Sequence, residues 1–110
     1  MAYDDALAQR IREAIRHEVG VTEKRMFGGL AFLVNGNMAV SASSQGGLLL
    51  RIDPADAESL TRQPHVERFE MRGRAMDGWL RVGEQALGSD DELRRWVDIG
   101  VAYARSLPAK

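Results

Sequence analysis

The sequence predicts a small α+β domain in which helices flank an antiparallel sheet, a single domain spanning residues 1–110. Three observations carry that prediction. An Asn-Gly pair, Asn35-Gly36, separates two apolar runs; apolar residues recur at helical spacing at both ends of the chain; and capping residues mark helix starts before and after the strand-like segments.

The first helix opens at Asp4-Asp5, where acids favour the unpaired N–H groups and the positive end of the dipole. Leu7, Ile11 and Ile15 then recur every fourth residue, with Ala8 and Ala14 widening the stripe. Arg10, Arg12, Glu13 and Arg16 face outward, His17 lies near the helix end, and Gly20 is the expected stop.

Three strands should follow. The first runs from Thr22–Phe27 into Leu30–Val34, with a bulge or bend at Gly28-Gly29, since glycine inside a strand pattern marks one. The second is Asn37–Ala42 and the third Leu48–Ile52, after the loose segment Ser43–Gly47. A two-residue turn at Asn35-Gly36 sets the register, because both residues accept positive φ. Counting outward puts Val34 opposite Asn37, Leu33 opposite Met38 and Ala31 opposite Val40, an apolar side assigned to the core. The other side pairs Phe32 with Ala39 and Leu30 with Ser41. Such a half-apolar second face calls for another covering element or a partner subunit.

Asp53-Pro54 begins a second helix that carries Ala57 and Leu60 inward and ends before Pro64. Val66–Phe69 reads as a short strand and Met76–Val82 as a better one, weakened by Gly78. Ser89-Asp90-Asp91-Glu92 has capping-box spacing and opens the last helix, which runs to about Ser106 with Leu93, Trp96, Val97, Val101 and Ala104 on one stripe. Gly100 in its middle points to close approach of helix and sheet. The order is helix, three strands, helix, one or two strands, helix.

The formal net charge of −1 sets up no broad field attractive to polyanions. The chain has no cysteine, which rules out disulfides and thiolate metal sites. No apolar run is long enough to span a membrane and no leader pattern opens the chain, so the expected location is cytoplasmic. Gly28-Gly29 lies within a strand pattern rather than between strand and helix, and Gly73–Gly78 lacks the Gly-Lys-Ser/Thr ending of a phosphate loop. His17 and His65 do not have the spacing that places two ligands on one helical face. None of Ser41, Ser43 or Ser44 sits in G-x-S-x-G. The expectation is therefore no catalytic residue, no metal and no cofactor.

The most unusual stretch is Met71–Trp79, in which Arg72 and Arg74 flank Gly73 and Trp79 follows. Its arginines could present a forked pair to phosphate or to a partner's carboxylates, with Trp79 as an aromatic platform. Lys24, Arg25, Arg51 and Arg81 would extend them into a basic patch. In the blander alternative the methionines fill core gaps, the arginines pair with Glu67, Glu70 and Asp77, and Trp79 packs.

Taken together, MFGGLAFLVNGNMAV, then MRGRAMDGWLRV and a last helix ending in RSLP, resemble the N-terminal domain family of TfoX/Sxy from about Tyr3 to Leu107. That resemblance implies a small α+β domain of bacterial regulators associated with natural competence. By that resemblance, the full regulators carry a further helical domain and act as transcriptional co-activators alongside the cyclic-AMP receptor protein. A chain ending at Lys110 is expected to be a stand-alone N-terminal domain. The family supplies no catalytic residues to carry over. Its motif positions Met26, Phe27, Gly28, Gly29, Asn35, Gly36, Arg72, Gly73 and Trp79 are expected to be architectural.

The leading functional expectation is a non-enzymatic interaction module that contacts a protein, either a transcription regulator or a second copy. The alternative is a nucleic-acid-associated module using Arg72, Arg74, Lys24, Arg25 and Trp79. A small-ligand binder comes third.

Overall fold

The computed structural model describes residues 4–26, 28–44, 46–71 (Met71 by its backbone) and 73–110. Phe27 and Arg72, both given roles by the sequence, lie outside the described residues.

Helix α1 (Asp5–Ile15) starts as its sequence requires: the Asp4 carboxylate accepts the N–H groups of Ala6 and Leu7 at 2.9 and 3.2 Å. Leu7, Ala8, Ile11 and Ile15 are buried. The helix ends at Ile15, before His17, and the Gly20 carbonyl instead accepts the Asn35 N–H at 3.0 Å, tying the helix exit to the hairpin tip.

Six strands follow in one sheet: β1 (Val21–Met26), β2 (Gly29–Val34), β3 (Asn37–Ala42), β4 (Leu48–Arg51), β5 (Val66–Met71) and β6 (Arg74–Val82). Their spatial order is β1-β2-β3-β4-β6-β5, and every neighbouring pair is antiparallel. The first strand expected from the sequence is in fact two. Instead of a bend at Gly28-Gly29 the chain reverses, so that Met26 pairs with Gly29 and Arg25 with Leu30. Gly28, at φ +76°, supplies the left-handed backbone that a tight reversal needs.

The Asn35-Gly36 turn is as the sequence predicts, with φ of 53° and 85°. The register beyond it is not. Val34 faces Asn37 and Leu33 faces Met38, but Phe32 then faces Val40, Ala31 faces Ser41 and Leu30 faces Ala42. Ala39 is an extra residue on β3, a bulge that reverses which side each later residue presents. The core assignment is corrected accordingly. Of Ala31, Leu33, Met38 and Val40, only Val40 belongs to the main core, where it joins Leu30, Phe32, Val34, Ala39 and Ala42.

Asp53 caps a 3₁₀ turn at Pro54–Asp56 by accepting the Ala55 N–H at 3.0 Å, and α2 (Ala57–Thr61) continues from it. After β5 and β6, Ser89 starts α3 (Asp90–Ser106) by accepting the Glu92 N–H at 3.1 Å while its hydroxyl donates to the Glu92 carboxylate. Leu93, Trp96, Val97, Val101 and Ala104 are all buried. All three helices contribute to one apolar cluster with Phe32, Val34, Val40, Leu48, Leu50, Leu80 and Val82, so they share one face of the sheet.

Candidate interaction face

Strand alternation sends every second residue to the side away from the helices. There Ala31, Met38 and Leu49 form a second cluster, 0%, 5% and 6% exposed, with Met26, Leu33, Phe69 and Trp79 half-buried around it. Among the described residues, none from a helix belongs to this cluster. Ser41 is buried in the same layer, between Ala31 and Leu49. Small residues at the centre let the longer side chains around them exclude water without a covering element.

The pairing continues this layer across the whole sheet. Lys24 lies opposite Ala31, Ala31 opposite Ser41, Ser41 opposite Leu49, Leu49 opposite Arg81, and Arg81 opposite Glu67. The row has a cation at one end and an anion at the other, with Ala31, Ser41, Leu49 and a second cation, Arg81, between. Arg81 also donates to the Gly46 carbonyl at 3.4 Å. At the end of β4, the Arg51 guanidinium stands 5.4 Å from the centroid of Trp79 and 5.7 Å from that of Tyr103 on α3, so it joins this layer to the helix side.

The candidates singled out from the sequence do not converge. Lys24 and Arg25 are exposed on β1, one edge of the sheet. Gly73 and Arg74 belong to the β5–β6 hairpin at the other edge. Trp79 is half-buried on the helix-free face. Arg74 is exposed, with no hydrogen bond or ion pair among the described residues. Met26 and Trp79 support the second cluster, Gly29 is buried in β2, and Asn35-Gly36 forms the turn. The sequence reading missed Leu49 and Phe69 as members of this face. One signal for Leu49 was available: three consecutive leucines, Leu48–Leu50, mark a strand covered on both sides.

Elsewhere, a groove of about 260 Å³ runs between α1 and the start of α3, lined by Arg10, Arg16, His17 and Arg94 together with Glu13 and Asp90. Its charges are largely engaged with each other, Arg10 with Asp90 at 3.5 Å and Arg16 with Glu13 at 3.3 Å. On the helix side of β1, Glu23 accepts two hydrogen bonds from Arg12, at 2.7 and 2.8 Å. That hydrogen bonding lowers the Glu23 carboxyl below its usual 4.5; partial burial opposes the shift and the Arg12 charge adds to it. Among the described residues no three His, Asp or Glu side chains gather as metal ligands, and no helix is long and apolar enough to cross a membrane.

A small antiparallel α+β domain with helices on one face is the class this geometry defines. The TfoX N-terminal domain family matches residues 13–104, most of the chain, and the chain belongs to that family. No curated protein and no solved structure matches it.

Proposed function

We propose that this chain is a non-enzymatic regulatory module acting in the cytoplasm, and that it works by protein contact through the helix-free face of its sheet. The observation that carries this reading is the second apolar cluster, Ala31, Met38 and Leu49 ringed by half-buried Met26, Leu33, Phe69 and Trp79, to which no helix contributes among the described residues. Half-buried aromatic and aliphatic side chains beside an arginine are the composition that binding surfaces favour. Membership of the TfoX N-terminal domain family supports a competence-related role in transcription, with a transcription regulator among the proteins contacted.

Transcript profiles of cells lacking the chain test this, after complementation with the wild type, with Leu33→Glu or Trp79→Glu on the face, or with Arg94→Glu in the α1–α3 groove. The wild type and Arg94→Glu should restore the profile, and the two face variants should not. Full restoration by folded face variants would overturn the reading.

One observation favours a second reading. β4 pairs with β6 only over residues 79–82, so Arg74 and Ala75, paired with Met71 and Glu70, extend past β4 as a two-stranded ribbon with Arg74 and Met76 exposed. A ribbon of this kind fits a nucleic-acid major groove. It predicts binding that weakens with salt, with a slope that flattens when Arg72 and Arg74 become alanine. No binding at about 50 mM salt would remove it, since phosphate contacts are strongest there.

A further inference from the structure

We infer that the occupant of the helix-free face is a second copy of this chain, stacked sheet on sheet about a two-fold axis that runs along the strands between β3 and β4. The inference rests on the reading of that face as the contact surface and adds the identity of the partner.

An interface between identical chains related by a two-fold axis must be complementary to itself. The cross-sheet row Lys24, Ala31, Ser41, Leu49, Arg81, Glu67 has this property. An axis along the strands reverses the row, so position one meets position six, two meets five and three meets four. Lys24 then lies over the partner's Glu67, Ala31 over the partner's Arg81, and Ser41 over the partner's Leu49. Charge meets opposite charge at both rims, and each inner pair sets a long side chain against a small one. The neighbouring positions carry no opposed charges and contribute apolar contact instead. Thr22, Leu33 and Met38 lie on the β1–β3 half, while Trp79 and Phe69 lie on the other. Reversal sets Leu33 against the partner's Trp79.

An axis perpendicular to the strands would instead stack Lys24 on the partner's Lys24 and Glu67 on the partner's Glu67. Charge therefore selects between the two orientations. The rim pairs are solvent-exposed, so they act on register and partner choice more than on affinity. Affinity comes from the half-buried Leu33, Trp79, Met26 and Phe69.

Lys24 and Glu67 sit on opposite edge strands of the sheet, five strand spacings or about 24 Å apart. A covalent link between them can form only between copies. The first test is carbodiimide coupling in an equal mixture of ¹⁵N-labelled and unlabelled chains, with mass spectrometry of the products. A Lys24–Glu67 link carrying one labelled and one unlabelled peptide is the expected result; its absence from a cross-linked dimer overturns the arrangement. The second test is sedimentation of charge variants. Lys24→Glu and Glu67→Lys should each weaken self-association at least tenfold. An equal mixture of the two should recover a 1:1 heterodimer, because every rim contact is again a cation with an anion, and the double variant should recover a homodimer. Recovery on mixing also shows that the single variants are folded.

A wild type that stays monomeric at every concentration overturns the inference, as does a dimer indifferent to both reversals. If the chain is monomeric but face variants still fail in complementation, the face serves a different protein and the proposed function stands. If the predicted dimer forms and face variants complement fully, the dimer stands and the proposed function falls.

Discussion

Gly100 of α3 rides directly on the Ala39 carbonyl of β3: a Cβ at position 100 would stand 2.5 Å from that oxygen and 2.9 Å from side-chain carbons of Leu50 and Val40. The residue that looks weakest in the helix by propensity is what lets the helix reach the sheet. Gly100→Ala gains about 1 kcal/mol of helix propensity. It also forces the helix off a backbone carbonyl that cannot rotate away, and overpacking of this kind costs about 1–3 kcal/mol. Because the bulge at Ala39 fixes where that carbonyl lies, the packing term should win. Urea denaturation should show a lower midpoint with an unchanged slope, and a stabilised variant would contradict the contact.

The hairpin tip is held by the end of the chain as well as by its own turn. The buried Asn37 side chain donates to the Pro108 carbonyl at 2.9 Å, and the Lys110 N–H donates to the Asn35 carbonyl at 2.9 Å. Asn37→Ala removes a donor from a part-buried acceptor, a loss of about 1–2 kcal/mol. Its signature should be local as well as global: amide exchange at Lys110 should quicken more than exchange in α1. Equal protection in the variant and the wild type would show that the tail is held by other contacts.

The turn itself was legible in the sequence because Asn-Gly reports a backbone conformation that few other pairs adopt. The helix starts at Asp4, Asp53 and Ser89 were legible for a similar reason: each cap is a local hydrogen bond between neighbours in sequence. The bulge at Ala39 was not. Alanine on either side of a strand satisfies the same hydrophobic pattern, so nothing local marks the extra residue, and its displacement moved Val40 from the side of Ala31 and Leu33 to the side of Phe32. The Lys24–Glu67 row was beyond local reading altogether. It depends on β6 inserting between β4 and β5, a non-sequential neighbour relation that no spacing encodes. Arg74 and Lys24 looked like members of one basic patch until that order placed them at opposite edges.

Glu23 makes acid stability a test of how α1 is attached to the sheet. Its two hydrogen bonds from Arg12 join helix to edge strand and hold its carboxyl below 4.5 in the folded chain. The contribution is therefore complete above the unfolded value and fades as pH falls through the lower folded one. The pair is more than a third exposed, so solvent screening keeps its worth to about 1 kcal/mol or less. Arg12→Ala should lower stability at pH 7 by that amount and lose its penalty in acid. A penalty that is constant from pH 7 to pH 3 would assign the effect to packing of the arginine stem instead.

Trp96 offers the last prediction, because its indole is buried while Nε1 has no acceptor among the described residues. Leaving a buried donor unpaired costs about 1–3 kcal/mol. Trp96→Phe removes that donor and gives up part of the ring, and these opposing terms should nearly cancel, leaving stability within about 1 kcal/mol of the wild type. Trp96→Ala keeps neither ring nor packing and should cost about 3–5 kcal/mol. The phenylalanine variant is also a tool, since Trp79 becomes its one tryptophan. Trp79 lies half-buried on the helix-free face beside Arg51. If two copies stack there, acrylamide quenching of its fluorescence should fall as protein concentration rises, with a midpoint matching that of sedimentation. Quenching that is independent of concentration in a protein that still dimerises would move the interface to another surface.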